Sequence, residues 1–201
     1  NDLSWLKLAL LLKEGAIAVM PTDTIYGICT SALNKKSVEK VYKLRKRNPQ
    51  KPCIILISKL DELKNFGVYI DKKILNILKN IWPSRISIVL PIKDKEKIKE
   101  FEYLHRGTST LAFRLPKNKF LIKILEISGP LIAPSANFEG DEPAKTINEA
   151  KKYFGNNVVY YDGGRIIGIP STLIKINKDK IEILRKGVDY QKLKKFLKNQ
   201  K

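Results

Sequence analysis

The chain has 201 residues, with 39 Lys plus Arg against 20 Asp plus Glu, a formal charge of +19, and 43% apolar residues. That apolar content supports a real core and excludes a disordered chain, and no apolar run approaches the roughly 20 residues of a membrane span. Two cysteines, Cys29 and Cys53, cannot build a disulfide framework or a Cys-rich zinc site. The length fits one domain, taken as residues 1–201. The chain opens at Asn1 rather than Met, so a few residues are expected to precede it. No basic start with an apolar block and cleavage site is visible, and a reducing cytoplasm fits best.

The elements alternate in type along the chain. Leu3 to Lys13 has helical spacing and ends at Gly15. Ala16 to Met20 reads as a buried strand stopped by Pro21, and Ile25 to Ala32 as a second extended piece. Ser37 is placed as the cap of a helix through Leu44 that ends near Asn48-Pro49. Cys53 to Ile57 is a strand, and Ser58 with Asp61 resembles a capping pattern for a short helix. Asp71 caps a helix that carries Ile74, Leu78 and Ile81 and stops at Pro83. Ile86 to Ile92 is a strand, followed by a charged surface excursion over Lys93 to Glu102. Leu111 to Leu115 is a strand, Asn118 opens a helix to Ser128, and Leu131 to Ala133 is a short strand. Thr146 caps a helix to Phe154; Val158 to Tyr161, Ser171 to Ile176 and Ile181 to Leu184 are strands; Asp189 caps a last helix. Mixed strands and helices without a linker or repeat predict one layered α/β domain.

The charge surplus has two readings. It comes from 32 Lys and only 7 Arg, so part of it is open to being solvated lysine without a partner. A basic chain also attracts polyanions such as nucleotides or nucleic acid. Where Lys is the default cation, each Arg is a candidate for a position that needs the bidentate fork.

Polar and small residues gather at strand ends. Pro21-Thr22-Asp23-Thr24 breaks an apolar strand, and Arg45-Lys46-Arg47 with Lys51 puts four cations into seven residues. Ser135 and Asn137 follow the run Leu131-Ile132, while Ser171-Thr172 and Arg185 sit at the last strands. Each has an ordinary reading as turn bonding or helix-dipole complement, beside a reading as an anion clamp. Arg114, inside an apolar strand, either meets a buried partner or faces a polar cleft. No phosphate loop or dinucleotide fingerprint is present. His105 is the single histidine, which leaves metal sites and triads unsupported, and its polar flanks place it at the surface. Cys29, Cys53 and Trp82 read as core residues.

In this order and spacing, the segments Pro21 to Gly27, Arg45-Lys46-Arg47, Trp82 to Ser87, Thr110 with Arg114, Ser135 with Asn137, Ser171-Thr172 and Arg185 resemble the YrdC-like family of L-threonylcarbamoyl-AMP synthases. The resemblance runs from about Leu3 to about Gly187. It implies a three-layer domain with a twisted mixed β-sheet flanked by helices and a deep basic groove. It further implies condensation of L-threonine, bicarbonate and ATP into threonylcarbamoyl-AMP and pyrophosphate, with Mg2+ arriving on ATP. A partner enzyme would then pass the threonylcarbamoyl group to tRNA. By the same resemblance Arg45, Arg47, Ser135 and Asn137 are catalytic. Arg47, Lys51, Thr110, Ser135 and Arg185 hold ATP, and Thr24, Arg114, Ala133 and Ser171 hold threonine.

The chain departs from the family pattern at Arg45 (usually Lys), at Ser84-Arg85, at Leu56 (often His) and at Glu139, which would face solvent or magnesium. Ending at Lys201, it resembles the short form without an extra C-terminal domain. The alternatives are a basic RNA-binding module without catalysis, with weak RNA binding able to accompany the enzyme as well, and a carbamoyl-AMP-forming relative.

Overall fold

The computed structural model describes residues 3–178 and 180–199; Asn1 and Lys201, the ends of the expected domain, lie outside them. The elements run α1 (Trp5–Lys13), β1 (Ala18–Pro21), β2 (Tyr26–Ser31), α2 (Lys35–Leu44) and β3 (Ile54–Leu56). A 3-10 turn over Leu60–Phe66 follows, then α3 (Lys72–Ile81), β4 (Ile86–Pro91), α4 (Lys95–Glu100), α5 (Glu102–His105) and β5 (Thr110–Arg114). The chain continues with α6 (Lys119–Ser128), β6 (Leu131–Ile132), α7 (Ile147–Phe154), β7 (Val159–Tyr160), β8 (Thr172–Asn177), β9 (Lys180–Arg185) and α8 (Tyr190–Lys198).

Among the described residues nine strands form one mixed sheet in the order β7-β1-β2-β6-β3-β5-β4-β8-β9. Strand alternation divides its two faces. On one face Ile55, Ile86, Ile88, Leu111, Phe113 and Ile174 join the larger core, sealed by α2, α3, α5, α7 and α8. On the other, Ala18, Met20, Cys29, Leu56 and Leu131 pack under Leu8 and Leu12 of α1 and Leu121, Ile124 and Leu125 of α6. Each such leucine contributes roughly 1.5–3 kcal/mol by burial.

The α1–α6 pair covers the β1-β2-β6 end of its face and reaches Leu56 at the end of β3. Toward β9 the same face carries Arg114, Ser87 and Lys175 among the apolar Ile54, Ala112, Val89 and Leu173, and no helix packs on it. That uncovered half of the sheet is the floor of a cleft.

The caps at Asp71, Asn118 and Thr146 form as the sequence predicts, each side chain accepting a first-turn N–H. Three expectations change. The α2 cap is Asn34, which accepts the Ser37 N–H, while the Ser37 hydroxyl donates to the Gly15 carbonyl at 2.6 Å. The stretch after Lys93 is helical, with Asp94 accepting the N–H groups of Glu96 and Lys97. Asp189 holds the N-cap position of α8 but its side chain makes no cap bond; it sits at φ 65° and takes Arg85 at 2.8 Å. Burial would raise the Asp189 carboxyl, but the Arg85 bonds outweigh it and hold it below the usual range.

Candidate functional site

The cleft has a volume of about 630 Å³. Its lining brings together residues distant in sequence: Arg47, Lys51, Thr110, Arg114, Ala133, Ser135, Ser171 and Arg185. Thr22, Cys53, Thr108, Lys175 and Glu182 line it too. Among these lining side chains five are cationic and Glu182 is the single carboxylate.

Arg114 ends β5, lines the cleft and spends three of its five N–H groups on protein partners. Its Nε and Nη2 donate to Asp23 Oδ1 at 3.1 and 2.8 Å, and Nη1 donates to Ser87 Oγ at 3.3 Å. Both partners of the Arg114–Asp23 pair are buried, at 3% and 4% side-chain exposure. Ser87 Oγ lies 2.8 Å from Ser171 Oγ, and Arg185 reaches Ser171 from the other side, through Nε to the carbonyl at 3.0 Å and Nη2 to Oγ at 3.2 Å. One chain of hydrogen bonds therefore runs from Asp23 to Arg185 across four strands. Gly187 lets the turn after β9 close on it, since a Cβ there would collide with the Pro170 and Ser171 carbonyls. Burial lowers the Arg185 guanidinium from its usual value, with the charges of Arg114 and Arg47 adding to the shift. Three guanidiniums held this close form a positive field suited to an anion.

The basic loop after α2 forms the facing wall. Arg47 donates to the Lys51 and Pro52 carbonyls at 3.2 and 2.8 Å, which fixes its stem at the cleft edge. Glu139, expected to face solvent or magnesium, instead braces this loop. It accepts the Asn48 N–H and pairs with Lys51 at 2.7 Å, and these bonds hold its carboxyl below the usual range.

Arg45, Asn137 and Thr24 are not among the residues that line the cleft. Arg45 is buried; Nε donates to the Ser135 carbonyl at 2.7 Å, and Nη2 to Ser135 Oγ at 3.1 Å and Asn137 Oδ1 at 3.4 Å. Burial, reinforced by Arg47, lowers it to about 10, so it stays charged at neutral pH. Asn137 donates to the Phe138 and Asp141 carbonyls at 2.7 and 3.0 Å. Both therefore fix the turn that presents Ser135. In the 21–25 turn it is Thr22 that lines the cleft, its hydroxyl donating to the Ile25 carbonyl at 2.6 Å, and Thr24 Oγ1 lies behind it at 3.2 Å.

Leu56 belongs to the core under α1 and α6, and Arg85 is turned to Asp189. The sequence reading missed Asp23 and Ser87 as partners of Arg114; the one available signal was a buried-strand arginine that needed a counter-charge. His105 is buried rather than at the surface.

The family model described as "Telomere recombination", which groups Sua5, YciO and YrdC, matches residues 10–187. The threonylcarbamoyl-AMP synthase of Pyrococcus abyssi is 30% identical over 179 residues, 88% of this chain and 52% of that protein. The chain thus spans about half the length of that relative. A putative threonylcarbamoyl-AMP synthase of Methanocaldococcus jannaschii is 34% identical over 179 residues, 88% of this chain and 82% of that one. The crystal structure of P. abyssi Sua5 complexed with L-threonine superposes with a TM-score of 0.79 at 26% identity, over 93% of this chain and 56% of that one.

Proposed function

The chain belongs to the Sua5, YciO and YrdC family, and from that membership and the geometry of the cleft we propose that it makes threonylcarbamoyl-AMP and pyrophosphate from L-threonine, bicarbonate and ATP. The observation that carries the proposal is the convergence of Arg47, Arg114 and Arg185 on one cleft that also presents the Ser135 and Ser171 hydroxyls.

In this reading the amino acid lies at the inner end, against Arg114, Ser171 and the backbone of Ala133. The nucleotide lies along Arg47, Lys51, Thr110, Ser135 and Arg185. The threonine amine and bicarbonate give a carbamate with loss of water. A carbamate oxygen then attacks the α-phosphorus, and the bond from that phosphorus to the bridging oxygen breaks as pyrophosphate leaves. The step needs positioning and charge neutralisation more than a proton relay. The arginines supply the neutralisation from fixed positions, without reorganisation during the reaction. Arg45 and Asn137 contribute by holding Ser135.

Among the described residues no group of three His, Cys, Asp or Glu side chains comes together, and a lone Glu182 in the cleft suits an ion carried on phosphate oxygens rather than a protein cage. Mg2+ bound with ATP would neutralise the leaving pyrophosphate. The product would go to a partner enzyme that transfers the threonylcarbamoyl group to tRNA, and weak RNA binding fits the +19 charge. Among the described residues no helix is long and apolar enough to cross a membrane; we place the reaction in the cytoplasm.

Arg47→Ala and Ser135→Ala test the assignment. Each is expected to lower pyrophosphate release on the order of 10²-fold, the usual loss for one fixed donor at a developing charge; Ser135→Ala also removes an acceptor of the buried Arg45 Nη2, at a stability cost of about 1–3 kcal/mol. A double variant with full activity would remove the basis for this cleft as the active site.

A further inference from the structure

His105 closes α5 behind the cleft wall and does not line the cleft. Its ring is bonded at both nitrogens. Nε2 lies 2.8 Å from the Ile98 carbonyl, while Nδ1 receives the N–H groups of Gly107 at 3.1 Å and Ser109 at 3.3 Å. A carbonyl only accepts and a backbone N–H only donates. One neutral tautomer, with hydrogen on Nε2, therefore satisfies all three contacts.

The segment that the ring gathers is an unusual one. Arg106, Gly107 and Ser109 take φ of 53°, 89° and 53°, the left-handed region that non-glycine residues seldom adopt. The backbone of His105 holds the same segment, because the Thr108 N–H and hydroxyl donate to its carbonyl at 2.9 and 2.7 Å. Thr110 Oγ1 in turn donates to Thr108 Oγ1 at 3.1 Å, and both threonines line the cleft.

We propose that His105 is a positioning residue whose neutral ring locks the left-handed 106–109 segment and thereby sets the Thr108–Thr110 edge of the cleft. The geometry stands without the nucleotide reading; the consequence, that a loosened edge weakens ATP binding, rests on it.

His105 is the single histidine, so 15N labelling of imidazole reads it without overlap. The expected spectrum at neutral pH is the Nε2–H tautomer; an Nδ1–H tautomer or an imidazolium would overturn the lock. His105→Leu removes all three ring contacts, whereas His105→Asn returns a short acceptor near the Nδ1 position. Calorimetric titration of each variant with ATP and with L-threonine is the second arm.

The leucine variant is expected to bind ATP roughly fivefold to tenfold more weakly, the loss of one or two hydrogen bonds. L-threonine affinity should stay within about twofold, because that end of the cleft is held by other residues, and the asparagine variant should recover most of the ATP affinity. Unchanged ATP affinity, or ATP and threonine affinities falling together, would overturn the proposal. If the unaltered protein binds no ATP, the nucleotide reading fails by itself. The lock is then judged on the tautomer and on slow hydrogen exchange at Gly107 and Ser109 that the leucine variant loses. If the leucine variant does not fold, the tautomer and the asparagine variant decide.

Discussion

Arg114→Ala is expected to destabilise the protein by about 3–5 kcal/mol and to abolish pyrophosphate release. The size follows from the buried pair. Asp23 Oδ1 loses both guanidinium bonds, and its Oδ2 already has no partner, so the variant strands a carboxylate where water cannot reach it. Ser87 loses a donor as well, which loosens its contact with Ser171 and, through that, the seat of Arg185. Denaturant unfolding measures the first effect and a pyrophosphate assay the second. A double variant, Arg114→Met with Asp23→Asn, separates them. Removing both charges is expected to return most of the stability, because desolvation of the ion pair offsets much of its attraction, while activity stays absent. A single variant within about 1 kcal/mol of the original, the typical worth of one net hydrogen bond, would show that the pair is not what orders this end of the cleft.

Arg45→Met is expected to cost about 2–4 kcal/mol, since three acceptors on the 135–137 turn lose a charged donor in a buried place. Activity should fall about 10–100-fold, because the Ser135 hydroxyl is displaced rather than removed and small misplacements of a positioned group have effects of that size. Arg45→Lys keeps the charge and one of the bonds, so its activity should lie between the two. The signature of positioning is that nucleotide and threonine affinities change less than kcat. An Arg45→Met variant with unaltered kcat and lost ATP affinity would instead put the guanidinium in contact with substrate.

Much of the scaffold was legible because it is written locally. Asp71, Asn118 and Thr146 each precede an apolar helical pattern and each accepts a first-turn N–H. The short apolar runs ending in Pro or polar residues became strands whose alternate faces are core and cleft. What the sequence hid is long-range. Asp23 and Arg114 are 91 positions apart, and nothing near either residue names the other. Asp189 has the composition of a cap, yet its carboxylate is taken by Arg85, 104 positions away. The α4 helix sets one apolar residue, the half-buried Ile98, against the core, too little to show a period, and only Asp94 marked its start. His105 misled because its neighbours are polar, whereas its ring is satisfied by backbone groups, which carry no residue signature. The family motifs gather on one cleft but could not separate a residue that lines it, Ser135, from those that do not, Arg45 and Asn137.

The most direct test of the central claim is pyrophosphate release by the purified chain with ATP and Mg2+, measured with and without L-threonine and bicarbonate. Release is expected to require both, and Arg114→Ala to abolish it. Release that ignores either co-substrate, or ATP bound but never cleaved in the presence of both, would contradict the claim.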